Sequence, residues 1–258
     1  MGTRIFLISC LIGCTACVFA ETPAGGNGAR LIDRVRTRSF RIEAGICSGG
    51  GFDTRQIGKN PNNDEYLRIS AGGGTGVRFE LGYFVEPWLE LGLAYLYQTS
   101  PLQGQNSPIF SEHSISGGFD RAICLFTPKY VLTAANRGQW KFGLGLGWYG
   151  PGEFTYEIKN QTFIFLIPVP PVPVWQQSTE YVYAYDGAVG VHGSAEFEYL
   201  LFSRIAGTIG FKYYYTKYHL KSVTGEDGPL TIPDEVRSYM DPMDGSGLDF
   251  FFAISCFL

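Results

Sequence analysis

The sequence predicts an all-β fold, an eight-stranded antiparallel up-and-down transmembrane β-barrel. Three observations lead to this prediction: apolar residues recur at every second position, charged residues keep to the opposite side of each such segment, and short and long connections alternate. Charged residues make up only 17% of the 258 and aromatic residues 16%, which is unusual for a soluble domain. Beyond residue 20, no stretch reaches the roughly 20 apolar residues that cross a bilayer as a helix, so a helical membrane protein is excluded.

Residues 1–20 are predicted to be a signal peptide. Arg4 precedes an uncharged run that ends in Val18-Phe19-Ala20, and a polar segment with Pro23 follows, a pattern that signal peptidase accepts. The segment Leu11-Ile12-Gly13-Cys14 offers an alternative, lipidation of Cys14. We expect residues 21–38 to form a periplasmic tail and residues 39–258 to form the outer-membrane barrel.

Three cysteines remain after the leader: Cys47, Cys124 and Cys256. Their spacing matches no metal-binding pattern, so we predict no metal site and no cofactor. Cys47 and Cys256 fall at opposite ends of the expected strands, too far apart for a disulfide. The net charge of −4 argues against a nucleic-acid partner, because such proteins normally carry a basic patch.

Eight segments of about ten residues show the period-2 alternation of half-buried strands. The clearest is 140–149, in which Trp140, Phe142 and Leu144 alternate with lysine and glycine. The weakest is 119–130, because its apolar residues lie on both parities; its faces stay unassigned, and a β-bulge is one explanation. In chain order the segments are 39–47, 76–84, 89–97, 119–130, 140–149, 183–199, 205–215 and 248–258.

The position of the charges indicates which face meets which solvent. The apolar faces of the seven assignable segments carry no charge, whereas the opposite faces carry ten: Arg41, Glu43, Arg78, Glu80, Glu90, Lys141, Glu196, Glu198, Lys212 and Asp249. A soluble barrel would be apolar inside, but lipid excludes charge, at about 2–4 kcal/mol for a midplane Arg or Lys. We expect these side chains to fill the lumen as an ion-pair network; a conducting polar pore is the alternative.

Aromatic residues on the apolar faces predict two girdles at the membrane interfaces. Trp140 and Trp148 share a face eight residues apart, which at about 3.3 Å per residue and a tilt of about 40° spans roughly 20 Å, near the roughly 25 Å apolar band of such barrels. The alternative is that these side chains form a β-sandwich core. The remaining predicted girdle residues are Tyr95, Tyr97, Tyr213 and Tyr215 at one rim, and Tyr83 and Trp88 at the other.

The connections alternate in length as an up-and-down barrel requires. Short links are expected near 85–87, 131–138 and 200–204, and long ones at 48–75, 98–117, 150–181 and 217–247. Short periplasmic turns and long external loops produce this rhythm and place both termini in the periplasm. The barrel must close, because lipid leaves the backbone of an open edge unpaired.

These features resemble the small eight-stranded outer-membrane barrels of Gram-negative bacteria, such as the OmpX-like and OmpW-like proteins and the membrane domain of OmpA. The resemblance lies in the leader, the hairpin at 83–92, the Gly-alternating strand at 142–147 and the terminal strand at 250–258. That terminal strand is similar to the signal read by the barrel-assembly machinery, although it ends in Leu258 and not Phe. The family implies outer-membrane residence and roles in adhesion, passage of small apolar solutes or envelope integrity.

One triplet suggests an enzyme. His192 and Ser194 are two residues apart on one strand, with Glu196 next on the same face, and outer-membrane lipid A deacylases carry a His-x-Ser pair on a barrel strand. The Asn-Pro-Gly that follows in those enzymes is missing here, and the parity turns both side chains toward the lumen. A polar lumen contact is the simpler interpretation.

The third long connection is unusually apolar for an exposed segment. Contiguous exposed apolar surface marks interaction sites, so we predict a ligand or partner site in 150–181. The alternative is a hairpin of 154–158 against 162–166 whose apolar residues pack on each other. The candidate ligand residues are Phe163, Phe165, Leu166 and Trp175.

Together these features predict a non-enzymatic outer-membrane barrel with long extracellular loops for surface interaction or envelope integrity. A narrow transporter of small apolar solutes is the alternative, and a lipid A-modifying hydrolase is a second one. The expected partners are outer-membrane lipid, lipopolysaccharide and the barrel-assembly machinery.

Overall fold

A computed structural model of the chain describes residues 32, 39–105, 113–134, 136–164 and 172–258, without the side chains of 161–164 and 172–177. In this part, no helix is long and apolar enough to cross a membrane. The elements in these ranges are β1 (Phe40–Gly51), β2 (Arg55–Lys59), β3 (Tyr66–Ile69), β4 (Gly73–Glu86), β5 (Leu89–Pro101), β6 (His113–Thr133), β7 (Gly138–Tyr149), β8 (Glu153–Ile164), β9 (Val172–Tyr185), β10 (Ala188–Leu200), β11 (Ile205–Tyr215), β12 (Lys217–Tyr218), β13 (Leu220–Gly225), β14 (Gly228–Leu230), α1 (Asp234–Met240), β15 (Met243–Asp244) and β16 (Gly247–Phe257).

Eight of these strands close into a barrel. The ring runs β1, β4, β5, β6, β7, β10, β11 and β16, and β16 pairs back with β1. Every pair in the ring is antiparallel. The predicted fold class, an eight-stranded antiparallel up-and-down barrel, is confirmed.

The two ends of the barrel differ in their connections. Residues 87–88, 134–137 and 201–204 make short links at one end, here called the turn end. The other end, the loop end, carries four long connections, loops 1 to 4, at 52–72, 102–112, 150–187 and 216–246. The first residue of β1, Phe40, and the last residue of β16, Phe257, both lie at the turn end.

The pleat of the strands separates apolar from charged side chains, because successive residues point to opposite faces. Outward residues of the strands are strongly exposed: Leu144 by 75%, Leu146 by 61% and Val189 by 75%. Inward residues are buried, and Arg41 and Lys141 are 0% exposed. The barrel therefore has an apolar outer surface and a charged interior.

The segment left without assigned faces, 119–130, belongs to β6 and has no bulge. Its pairing with β5 runs in one unbroken register from Leu89↔Tyr130 to Pro101↔Gly118. Ile123 and Leu125 point inward and are buried, while Phe126 and Tyr130 point outward. Apolar residues occur on both parities because the inward-facing Ile123 and Leu125 belong to a buried apolar cluster in the loop-end half of the molecule.

The predicted strand at 183–199 joins two elements that the structure separates. Strand β9 stops at Tyr185, and β10 begins at Ala188 after the break at Asp186 and Gly187. Strand β9 pairs with β8 above the barrel, and β10 pairs with β7 and β11 in the barrel wall.

Loop 3 is a long hairpin, but not the one expected from the sequence. Residues 154–158 and 162–164 both belong to β8, whose partner is β9 (Val172–Tyr185). The sheet continues beyond the barrel because β8 also pairs with the first eight residues of β6, and β9 pairs with β13. The loop end therefore carries a five-stranded sheet in the order β6, β8, β9, β13 and β14.

Candidate functional site

The turn-end half of the lumen holds a cluster of ion pairs centred on Arg41. Its guanidinium contacts Glu43 and Glu80, and its Nε donates to Glu90 Oε1 at 2.8 Å. These side chains are at most 2% exposed. One cation from β1 thus joins carboxylates from β1, β4 and β5.

Two lysines extend the cluster to the opposite wall. Lys129 Nζ lies 2.5 Å from Glu80 Oε1 and 2.9 Å from Glu196 Oε2. Lys141 Nζ lies 2.8 Å from Glu90 Oε2 and 2.9 Å from Glu198 Oε2. The contacts of these two residues connect β4 and β5 with β10 straight across the lumen.

Arg78 closes the cluster toward the loop end. It contacts Glu80 and lies 3.2 Å from Glu43 Oε1, and its guanidinium carbon lies 3.9 Å from the centre of the Phe251 ring. A cation over an aromatic face is attracted by the quadrupole of the ring. The Arg78–Phe251 contact lies at the loop-end edge of the cluster centred on Arg41.

Arg121 joins the barrel to two of the loops. Its guanidinium donates to three backbone oxygens, those of Ala71 at 2.5 Å, Gly73 at 3.2 Å and Gly245 at 3.1 Å. It also donates to Tyr214 OH at 2.7 Å. Because Ala71 lies at the end of loop 1 and Gly245 at the end of loop 4, one β6 side chain holds both loops against the lumen.

The buried charges of the described residues balance. Six cations and six anions are at most 4% exposed: Arg41, Arg78, Arg121, Lys129, Lys141, Lys212, Glu43, Glu80, Glu90, Glu196, Glu198 and Asp249. Paired charges that satisfy one another occupy a lumen of this width without leaving a polar channel. The arrangement is chemically suited to closing the barrel.

Ten of these twelve residues are those that strand parity places in the lumen, and the structure brings eight of the ten into the cluster around Arg41. The other two, Lys212 and Asp249, pair separately at 3.8 Å, nearer the loop end. Parity missed Arg121 and Lys129, which lie on the strand without assigned faces. The excess of six predicted lumen anions over four cations was the available signal that two cations were missing.

Apolar layers cover the charged cluster on both sides. At the loop end, Leu96, Ile123, Leu125, Tyr149 and other buried residues continue into the loops through Leu67, Ile69, Leu102 and Met240. At the turn end, Ile32 packs with Phe84, Val131, Leu200, Ala206 and Phe257. Ile32 lies in the segment before the barrel, is 0% exposed, and donates its N–H to Asn136 O at 3.2 Å.

The loops interlock into one cap. Loop 1 binds loop 2, where Arg68 exchanges two backbone hydrogen bonds with Gln103, and it binds loop 4, where Arg55 donates to Tyr239 O at 3.0 Å. Loop 3 binds loop 4, where Asp186 N–H donates to the carbonyl oxygen of His219 at 2.9 Å. Loop 2 and loop 3 are joined by the β6–β8 pairing. The cap is built from all four connections.

One face of the loop 3 hairpin is polar. Glu157 lies between Lys159, 2.9 Å away, and Ser178, which donates to its Oε1 at 2.8 Å. Hydrogen bonds from Lys159 and Ser178 lower the pKa of Glu157. The other face carries Phe154 and Tyr185, which are buried, and burial raises the pKa of Tyr185.

The residues of the hydrolase alternative face the lumen. His192 is 2% exposed, and its Nε2 lies 2.7 Å from Thr127 Oγ1 of β6. Ser194 pairs in register with Gly143 and Lys212, in the barrel interior. A lipid outside the barrel has no path to these groups, so the geometry favours a polar lumen contact.

The predicted girdle residues all point outward and are 37–53% exposed. Tyr83, Trp88 and Trp140 lie at the turn end, and Tyr97, Trp148, Tyr213 and Tyr215 lie toward the loop end; Tyr95 lies nearer mid-height, paired with Phe79 and Cys124.

Several predicted features lie outside the described residues. These are the signal peptide, Cys14, the tail apart from Ile32, the residues Phe165 and Leu166, and the side chains of Phe163 and Trp175. Of the three described cysteines, all free, Cys47 and Cys256 are buried and Cys124 is exposed on the outer face. Among the described residues, no group of three or more His, Cys, Asp or Glu side chains is placed to hold a metal ion.

The ring of eight antiparallel strands, apolar outside and charged inside, decides the fold. It is the fold of the small eight-stranded outer-membrane barrels. No family model and no curated protein sequence matches the chain. Solved structures with similar architecture include a major outer membrane protein from Thermus thermophilus, with 11% identity, a TM-score of 0.49 and coverage of 85% of this chain and 98% of that one. OprG from Pseudomonas aeruginosa has 12% identity and a TM-score of 0.45, with coverage of 86% of this chain and 97% of that one. Neisserial surface protein A has 9% identity and a TM-score of 0.43, with coverage of 84% of this chain and 96% of that one. These likenesses concern the fold alone.

Proposed function

We propose that the protein is a non-enzymatic outer-membrane barrel with a closed lumen that presents its loop end outside the cell for surface interaction. The apolar outer surface of the barrel, here called the apolar belt, supports the membrane location. Residues such as Leu144 and Val189 would otherwise expose a continuous apolar surface to water. In this orientation the turn end and both termini are periplasmic, as is usual for barrels with short periplasmic turns.

The single observation that carries the closed lumen is the balanced set of twelve buried charges. Breaking a buried pair to let solute pass leaves an uncompensated charge, at a cost of about 3–5 kcal/mol. The apolar layers at both ends add to the barrier. Passage of a small apolar solute through the lumen would require both apolar layers and the ion pairs between them to separate.

The interlocked cap supports surface interaction. A rigid scaffold that positions loop residues is a common way to build a binding surface. Among the described strands outside the barrel ring, the two of the loop 3 hairpin are the longest, with 12 residues in β8 and 14 in β9. We place the ligand or partner contact in 150–181, near a surface of lipid and lipopolysaccharide, and expect the barrel-assembly machinery to insert the chain.

Conductance of the refolded protein in a planar bilayer tests the closed lumen. We expect no stable conducting steps and no opening on addition of small apolar solutes. A persistent or solute-dependent conductance would favour the transporter. If cells that carry Ser194→Ala show unchanged lipid A acylation, the hydrolase hypothesis is rejected. A changed acylation pattern would support it.

A further inference from the structure

A groove lies on the outside of the barrel near the loop end, where β16, β1 and β4 run side by side. Its volume is about 520 Å³, within the range of small-molecule sites. Ile46, Phe250 and Phe252 line it and are 64%, 62% and 52% exposed. The groove therefore opens outward, into the apolar belt.

Two hydroxyls lie within this apolar surface. Ser48 of β1 pairs in register with Thr75 of β4 on one side and with Phe250 of β16 on the other. Both hydroxyl residues line the groove and are exposed. Side chains directly opposite in antiparallel strands have Cβ atoms about 4.5–5.5 Å apart, so the two hydroxyls can reach one acceptor group. Thr99 of β5, the partner of Thr75, extends the row.

The height of the hydroxyls restricts what can accept their hydrogen bonds. Thr75 is two residues from the loop end of β4, and Ser48 is three residues from that of β1. At about 3.3 Å per residue and a tilt of about 40°, they lie roughly 5–8 Å below the strand ends. Outward-facing Tyr97 pairs with Val77, two residues from Thr75, and aromatic girdles lie at the membrane interface. The hydroxyls therefore lie at the boundary between headgroups and hydrocarbon, where ester and amide carbonyls join acyl chains to the headgroup.

We propose that the groove binds one acyl chain of an outer-leaflet lipid, and that Ser48 and Thr75 donate hydrogen bonds to the ester or amide carbonyl at the head of that chain. This inference rests on the proposed membrane location. Continuity with the apolar belt favours lipid as the occupant, and none of the described residues that line the groove is charged. Ile46, Phe250 and Phe252 would pack along the chain, while the hydroxyls fix its position along the barrel axis.

Competition between lipids tests the site. In a variant with Trp88, Trp140, Trp148 and Trp175 changed to Phe, Phe252→Trp introduces one reporter beside Ile46 and leaves Phe250 opposite Ser48. The protein is reconstituted with brominated diester phosphatidylcholine, which quenches the reporter, and unbrominated diester or diether phosphatidylcholine of the same chain length is added. We expect the diester lipid to relieve the quenching about threefold more effectively than the diether, the effect of one net hydrogen bond.

Two variants make the result specific. Ser48→Ala with Thr75→Ala should abolish the preference, because the donors are gone and the apolar walls remain. A reporter at Leu146→Trp, between the outward residues Phe126 and Val191, should be quenched without any preference. Equal competition at Phe252→Trp, or a preference that survives the double alanine variant, would overturn the lipid site. Absence of quenching at both reporters would instead contradict the membrane location.

Discussion

Arg41 is the residue on which most of the lumen depends. It contacts Glu43, Glu80 and Glu90, and all four side chains are almost completely buried. A buried ion pair adds little stability compared with apolar packing, but removal of one partner leaves a charge without compensation. The cluster is therefore sensitive to single changes and tolerant of matched ones.

Arg41→Met is expected to lower the free energy of unfolding in lipid vesicles by about 3–5 kcal/mol. Adding Glu90→Gln should recover part of this loss, because the pair of changes removes one charge of each sign. Lys221→Met is the control, since Lys221 is 67% exposed and 3.8 Å from Asp186; its effect should lie within about 1 kcal/mol. Urea titration measures all three, and an Arg41→Met protein as stable as the control would refute the role of the cluster.

Among the loops, we expect Arg121 to keep loops 1 and 4 of the cap attached to the barrel. Arg121→Leu removes charged hydrogen bonds worth about 1.5–3 kcal/mol, so amide exchange at Phe52 and Gly245 should accelerate about 10- to 100-fold. Both amides are hydrogen bonded within the cap, to Ser246 O and Thr216 O. Exchange in β7 should stay unchanged, and Ser116→Ala, on the polar face of the hairpin, serves as the control. Uniform acceleration across the barrel would mean that Arg121 stabilises the whole fold and not the cap.

The orientation of the barrel predicts which connections meet the outside of the cell. In a Cys124→Ser background, Lys221→Cys lies in loop 4 and Glu86→Cys lies at the turn end. A membrane-impermeant maleimide should label Lys221→Cys on intact cells and Glu86→Cys only after lysis. Labelling in the reverse order would invert the proposed topology.

Strands were predictable where one face is apolar and the other carries charged residues or glycine. Trp140 to Tyr149 meets this condition, and its alternation matches β7. Strand β6 does not, because Ile123 and Leu125 face an apolar part of the lumen, so both of its faces are apolar over that stretch. Arg121 and Lys129, the lumen cations on β6, were missed for the same reason.

The cap was not predictable in detail because its strands depend on partners distant in sequence. Strand β8 pairs with β6 about 40 residues earlier, and β9 pairs with β13 about 40 residues later. The alternation of apolar and polar residues in 183–199 continued across the break at Asp186 and Gly187. It therefore did not reveal that β9 ends and β10 begins there. The contact of Ile32 with the turn-end layer has no periodic signal at all.

At the scale of the whole molecule, the barrel contrasts an apolar outside with a neutral, ion-paired inside. Water around the barrel would favour the opposite arrangement. The proposed membrane location, the proposed closed lumen and the proposed lipid site near Ser48 all depend on this contrast. A test of it must distinguish lipid from water at one outward position.

Leu144→Arg provides that test, because Leu144 is 75% exposed and lies near the middle of β7. Unfolding in lipid vesicles should show a loss of about 2–4 kcal/mol relative to Leu144→Ala, the cost of an Arg at the bilayer midplane. If the outer surface met water, the same arginine would replace an exposed apolar side chain at little cost. A Leu144→Arg protein as stable as Leu144→Ala, or more stable, would contradict a barrel whose outer face meets lipid.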